Sequence, residues 1–242
     1  GNNASADAII EPVPPFCPGT YAVKLRIKNN GNNIINNVKI AWSVLPAAPT
    51  IINYTTPINV NGSVAGNEAI IPLGNIAFGS SAVNIKAWTY EPNGVTDPIP
   101  GDDTLNKSYF AALGGVYTIG GTTPNFPTVI DAVNALNQYG TCGDVIFDIR
   151  AGVYTGKVTL SNPTPVPSTS GRVTFRSENG IANSVTIAYN APSQNDATIQ
   201  LNSADNFTFK NLTVTTGTNY GQCFALNGAS DNDSIVGCVL TA

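Results

Sequence analysis

The C-terminal part of the chain contains the same short phrase twice. The pair Leu201-Asn202 recurs as Leu226-Asn227 after 25 residues, and Asp205-Asn206 recurs as Asp231-Asn232 after 26. Repeats of this length are typical of stacked supersecondary units, none of which can bury its apolar face alone. Inside each copy apolar and polar residues alternate, the alternation breaks, and then it resumes. The repeat therefore predicts rungs of a parallel β-helix, each with two short strands joined by a corner.

The same register extends towards the N-terminus. One strand of the earlier rungs is predicted at Val145–Ile149, Val173–Phe175 and Thr198–Leu201, and its partner at Val158–Leu160, Val185–Ile187 and Leu212–Val214. Three pairs are expected to stack in the core of the last two rungs: Phe209 with Ile235, Leu212 with Cys238, and Val214 with Leu240. The alternative is a β-sandwich in which the spacing arises by coincidence.

Residues 1–113 have the pattern of a separate domain. Short candidate strands alternate with turns rich in Asn, Pro and Gly, which is typical of an immunoglobulin-like sandwich. Seven are predicted: Asp7–Glu11, Thr20–Lys28, Val38–Val44, Ile51–Tyr54, Glu68–Leu73, Val83–Tyr90 and Leu105–Ala112. Trp42 and Trp88 are predicted to lie in the core of this sandwich.

A single helix is predicted near the start of the second domain, which spans 114–242. Apolar residues recur there at helical spacing, at Phe126, Val129, Ile130, Val133 and Leu136. Gly140 follows as a residue that favours a helix end. We expect this helix to lie across the N-terminal end of the β-helix and to cover its first rung.

The composition excludes some classes of function. Charged residues make up 11% of the chain and the formal net charge is −4, so no basic surface is expected that could neutralise nucleic-acid phosphates. No apolar run approaches the roughly 18 residues of a membrane span. The chain has no Met, begins at Gly1 and stops within a predicted rung. Because an open β-helix end is an unpaired edge, we expect the chain to be a piece of a longer protein.

Several motifs resemble bacterial surface proteins. Those of the first domain are similar to the adhesion-related (CARDB-type) immunoglobulin-like domain: Cys17–Tyr21, Lys28–Gly31, Trp42–Val44, and Asp97 with Asp102–Thr104. Residues 115–136 and 149–155 resemble the start of pectin-lyase-like β-helices. The combination resembles large surface proteins of the Bacteroidetes that the type 9 secretion system exports, including gliding-motility adhesins. The resemblance implies a right-handed parallel β-helix and an extracellular, cell-surface location.

The chain offers few residues for catalysis. It has no His, which excludes Ser-His-Asp and Cys-His nucleophile systems and His-containing zinc sites. Its four cysteines have no metal-binding spacing. The remaining candidates for an acid–base pair or a calcium site are carboxylates near the repeat, with Lys210 as the only nearby basic residue: Asp196, Asp205, Asp231 and Asp233. Because Asp at such corners normally binds backbone amides, we predict no catalytic residue, cofactor or metal site.

The cysteines are expected to form two disulfides, since an exported protein meets oxidising conditions. Four cysteines allow three connectivities. If the seven sandwich strands alternate in direction, Cys17 lies where the last strand leaves the sandwich, and Cys142 follows the capping helix there. We therefore predict Cys17–Cys142, and Cys223–Cys238 within one rung. The resemblance also implies O-glycosylation of Asp-Ser/Thr-apolar tripeptides, at Thr104 and Ser234.

These observations favour a non-enzymatic extracellular structural or adhesive protein, a fragment of a large cell-surface adhesin, stalk or filament. Its expected partners are further domains of the same long chain, surface glycans or other copies of itself. One alternative is an accessory module with the first rungs of a polysaccharide lyase or glycosidase. The other is a glycan-binding module. Fold alone does not separate them.

Overall fold

The computed structural model describes residues 1–79, 81–163, 165–217 and 221–242, and for 165–170 it describes the backbone. The chain is an all-β protein with one α-helix among the described residues. It divides into two compact units. Unit 1 comprises Gly1–Pro14 and Gly19–Phe110, and unit 2 comprises Pro15–Pro18 and Ala111–Ala242. The assignment of Pro15–Pro18 to unit 2 was not predicted from the sequence.

Among its described residues, unit 1 contains seven antiparallel strands in two sheets. One sheet has the order β1-β2-β5 and the other β4-β3-β6-β7. The strands are β1 (Ala4–Glu11), β2 (Gly19–Asn29), β3 (Val38–Val44), β4 (Thr50–Tyr54), β5 (Glu68–Phe78), β6 (Val83–Tyr90) and β7 (Thr104–Tyr109). All seven overlap the strands predicted from the sequence.

The core of unit 1 follows from alternation along its strands. In β2, Val23, Leu25 and Ile27 are fully buried and alternate with partly exposed residues, as expected when one face of a strand meets the core. The prediction for the two tryptophans was wrong. Trp42 and Trp88 are only half-buried, and the Lys86 Nζ lies 5.2 Å from the Trp88 ring centroid, so this ring serves as a surface partner for a cation.

Unit 2 begins with β8 (Leu113–Ile119) and the helix α1 (Val129–Tyr139). Eleven strands follow: β9 (Thr141–Ile149), β10 (Gly152–Thr155), β11 (Val158–Ser161), β12 (Pro165–Ser177), β13 (Val185–Ala188), β14 (Ala197–Asn202), β15 (Phe207–Lys210), β16 (Thr213–Thr215), β17 (Gln222–Asn227), β18 (Ser234–Val236) and β19 (Val239–Thr241). They form three parallel sheets with the orders β18-β15-β12-β9-β8, β10-β13-β16-β19 and β11-β14-β17. The chain therefore passes through the three sheets in turn and then repeats; we call each circuit a pass.

The repeat predicted from the sequence sets the register of the last two passes. Leu201 pairs with Leu226 and Phe209 pairs with Ile235, so the two copies of the phrase are hydrogen-bonded neighbours. The assignment of earlier strands was partly wrong, because each pass has three strands rather than two. Val158–Ser161 pairs with 199–202, whereas Val185–Ala188 pairs with Gly152–Thr155 and with 213–215.

The described buried residues of unit 2 form one apolar cluster. The rings of Phe147, Phe175 and Phe209 follow one another from pass to pass, with centroid distances of 4.7 Å and 5.6 Å, and all three are buried. Leu212 and Val214 are also fully buried, and Cys238 packs against the cluster. Ile235 and Leu240 are about half exposed, at 45% and 50%, so these two members of the predicted core pairs are not enclosed.

The helix α1 contributes to the same cluster through Val129, Ala132, Val133 and Leu136. It begins after Thr128, whose hydroxyl accepts a hydrogen bond from the Asp131 amide, while the Asp131 carboxylate accepts one from the Thr128 amide. It ends at Gly140, which has a φ of 75°. Phe126 precedes the helix instead of opening it. None of the described helices is both long enough and apolar enough to cross a membrane.

Candidate functional site

The predicted carboxylate pair Asp205 and Asp231 is a corner contact between neighbouring passes. The Asp205 carboxylate accepts hydrogen bonds from the Asp231 amide at 2.8 Å and from the Asn162 side-chain amide at 3.1 Å. The bond from the Asp231 amide is the main cause of a lowered pKa at Asp205. This carboxylate therefore stays charged and holds backbone, which is the structural role expected of Asp at such a corner.

The other two candidate carboxylates are engaged elsewhere. Asp233 accepts a hydrogen bond from the Phe207 amide at 2.8 Å, and burial raises its pKa. Asp196 forms an ion pair with Lys157 and accepts a hydrogen bond from the Tyr189 hydroxyl at 3.0 Å. Within the described ranges, no group of three or more His, Cys, Asp or Glu side chains is placed to hold a metal ion.

The cysteines follow the prediction in part. Cys17 and Cys142, both in unit 2, form a disulfide with a Cα–Cα distance of 5.5 Å. Cys223 and Cys238 are free thiols, so the predicted second bridge is not formed. The two thiols are directed at different strands. The Cys223 Sγ donates a hydrogen bond to the Val214 carbonyl in β16, and the Cys238 Sγ donates one to the Phe209 carbonyl in β15. Burial raises the pKa of the Cys223 thiol and keeps it protonated at neutral pH.

The two predicted glycosylation sites differ in accessibility. Thr104 is exposed and begins β7, which is an edge strand of its sheet. Ser234 is half-buried in β18, the last strand of its parallel sheet. An enzyme that attaches a sugar to folded protein reaches Thr104 more easily.

The last pass of unit 2 forms an apolar surface, which we call the terminal face. Leu226, Ile235 and Leu240 are 52%, 45% and 50% exposed, whereas their register partners in the preceding pass, Leu201, Phe209 and Val214, are at most 1% exposed. Among the described strands, β17, β18 and β19 each have one neighbour in their sheets. The terminal face thus combines apolar side chains in register with the outermost described strand of each parallel sheet.

A second feature, in unit 1, was not predicted as a site. The carboxylates of Asp97, Asp102 and Asp103 lie close together. Burial is the main cause that raises the pKa of Asp103 to about 6, and the negative charges of Asp97 and Asp102 add to this rise. The side chain of Asn3 joins them, with its Nδ2 donating to Asp102 at 3.4 Å. We call these four residues the polar pocket. Asp97, Asp102 and Asp103 are visible in the sequence as a cluster, but the participation of Asn3 depends on the fold.

No protein-family model, curated protein or solved structure matches the chain.

Proposed function

We propose that the chain is a non-enzymatic extracellular structural or adhesive protein, part of a large cell-surface adhesin, stalk or filament exported by the type 9 secretion system. In this proposal unit 1 is an immunoglobulin-like sandwich of the CARDB type, and unit 2 is the first part of a right-handed parallel β-helix with α1 as its cap. The two antiparallel sheets of unit 1 and the three parallel sheets of unit 2 support these assignments.

The stacking of passes in unit 2 is the observation that carries the proposal. Successive passes pair in parallel and place the rings of Phe147, Phe175 and Phe209 in one buried column. Stacked passes of this sort contact only their neighbours and can be extended without a change of design. The partners proposed are accordingly further domains of a longer chain, other copies of it, or surface glycans.

Labelling of intact cells tests this proposal. An antibody raised against the chain is expected to bind unpermeabilised cells of the native source, and external protease is expected to remove the signal. The matched control is an antibody against a cytoplasmic protein, which should bind only after permeabilisation. Labelling that requires permeabilisation would contradict a cell-surface location.

The enzyme alternative makes a different prediction for the same protein. Cleavage of pectin, alginate or a similar polyanion, abolished by Asp205→Ala or Asp231→Ala, would replace the structural proposal with that of a lyase or glycosidase. Binding of such a polymer without cleavage would favour the glycan-binding module. The groove of about 390 Å³ lined by Thr155, Gly156, Ala188, Tyr189 and Asn190 is the place where we would expect that binding.

O-glycosylation is a separate expectation of the proposal. Mass spectrometry of protein from its own source is expected to find an added sugar at Thr104, with lower occupancy at Ser234 because that side chain is half-buried. Thr104→Ala should remove the main modification, and Ser108→Ala, in the same exposed strand, should leave it in place. Recovery of both tripeptides without added mass would remove the hypothesis.

A further inference from the structure

We propose that the polar pocket of unit 1 binds one calcium ion through the side-chain oxygens of Asn3, Asp102 and Asp103. The observation that carries the proposal is a set of three oxygens, Asn3 Oδ1, Asp102 Oδ1 and Asp103 Oδ1. Each is buried, and among the described residues no hydrogen-bond donor reaches any of them. Buried oxygens are almost always paired, so a group of three without donors indicates a ligand that supplies positive charge.

The pocket is held together by a continuous set of contacts. The Thr89 amide donates to the Asp103 carbonyl at 3.1 Å, and the Thr89 hydroxyl donates to the Ala4 carbonyl at 2.8 Å. The Ala4 amide in turn donates to Asp97 at 2.8 Å. Asn3, which precedes Ala4, is only 4% exposed. The unpartnered amide oxygen is therefore fixed beside the acidic residues and is not free to turn towards solvent.

The described hydrogen bonds leave one oxygen of Asp102 and one of Asp103 for a cation. Asp102 Oδ2 accepts from the side-chain amides of Asn30 and Asn3, and its Oδ1 accepts from none of the described donors. Both oxygens of Asp97 accept backbone amides, from Ala4 and Ile99. Asp97 thus shapes the pocket and adds negative charge, while Asp102 and Asp103 supply the free oxygens.

The charge of the pocket is not balanced by the protein. In the part of the chain that the structure describes, no ion pair includes Asp97, Asp102 or Asp103, although several other carboxylates are paired with Lys or Arg. Carboxylates that are crowded and partly buried without a counter-ion destabilise the folded protein. A bound cation removes this repulsion.

Calcium fits the donor set better than the other common metals. All three ligands are oxygens, which disfavours zinc, and an irregular set with a neutral amide oxygen suits calcium better than the strict octahedron of magnesium. A cavity of about 150 Å³ lies on the Asn3 side of the pocket, where Asn3, Asn30 and Pro98 line it and Asp102 and Asp103 do not, so water ligands reach the ion from that side. The site contains two free carboxylates rather than three, so it differs from an all-carboxylate centre.

Calcium titration of the whole chain, freed of metal with a chelator, tests the proposal. Calorimetry is expected to find one ion per chain with a dissociation constant on the order of 10⁻⁴–10⁻³ M, as in extracellular modules. Thermal unfolding followed by tryptophan fluorescence should shift upward with calcium, because Trp42 and Trp88 both report on unit 1. Asp102→Asn and Asp103→Asn should each weaken binding at least tenfold.

Two further variants keep the test decisive. Asp7→Asn is the matched control, because the Asp7 carboxylate is already paired with Arg26 and Lys28, and it should bind calcium as the unmodified protein does. Asn3→Asp adds a carboxylate and should tighten calcium binding. This variant therefore tests the site even where Asp102→Asn or Asp103→Asn fails to fold. Failure of the unmodified protein to bind calcium at about 10 mM, well above the expected range, would overturn the proposal. Undiminished binding by both Asp102→Asn and Asp103→Asn would do the same.

Discussion

Replacing Phe175 by alanine is expected to lower the free energy of unfolding of unit 2 by about 3–5 kcal/mol. The ring is 1% exposed and lies between those of Phe147 and Phe209, at centroid distances of 4.7 Å and 5.6 Å. Its removal leaves a cavity in the middle of the column, where passes on both sides are fixed by strand pairing and cannot close the gap. The cost therefore includes both lost apolar burial and an unfilled space.

Urea unfolding followed by far-ultraviolet circular dichroism measures this loss, while tryptophan fluorescence follows unit 1 separately. Val153→Ala is the matched control in unit 2, because that side chain is 69% exposed, and its effect should stay within about 0.5 kcal/mol. An effect of Phe175→Ala below about 1 kcal/mol would show that the three rings do not form a rigid column.

The parts of the fold that the sequence predicts are those with a local signal. The repeat has a fixed offset, and residues alternate with period 2 inside each copy, so the pairings of Leu201 with Leu226 and Phe209 with Ile235 follow directly. The helix α1 is equally local, because its apolar spacing and its terminal Gly140 lie within one short segment.

The number of strands in a pass had no such signal. Several strands of unit 2 contain only three or four residues, such as Val158–Ser161 and Val185–Ala188. Both are apolar at alternate positions, so periodicity alone makes them equivalent although they belong to different sheets. Which short strand pairs with which depends on contacts between distant parts of the chain.

The polar pocket shows the same limit for a functional site. The three aspartates lie within a few residues of one another and are evident in the sequence. Asn3 lies 99 residues before Asp102 in the chain and reaches it only because β1 pairs with β2 and brings Asn30 to the same place. A buried oxygen without a donor is a property of the folded chain, and no spacing of residue types predicts it.

The second large effect is expected from the disulfide. Replacing both Cys17 and Cys142 by serine should lower the free energy of unfolding of unit 2 by about 2–5 kcal/mol. The bridge joins residues 125 apart in sequence, and cross-links that close long loops restrict the unfolded chain most. The segment Pro15–Pro18 belongs to unit 2 although it lies between β1 and β2 of unit 1 in the sequence. The Ala112 amide also donates a backbone hydrogen bond to the Phe16 carbonyl.

Thiol counting gives the direct control for this prediction. Protein unfolded without a reductant should react as two thiols per chain, from Cys223 and Cys238, and as four after reduction. The single variant Cys223→Ser is the control for the loss of a cysteine alone, because it leaves the Cys17–Cys142 bridge intact. The Cys223 side chain is half-buried, so the small polar change should have little effect on stability. Four reactive thiols before reduction, or equal stability of the double variant and the unmodified protein, would mean that the bridge does not stabilise unit 2. If the bridge is present and its removal greatly lowers the free energy of unfolding of unit 2, then Pro15–Pro18 is a covalently anchored part of that unit.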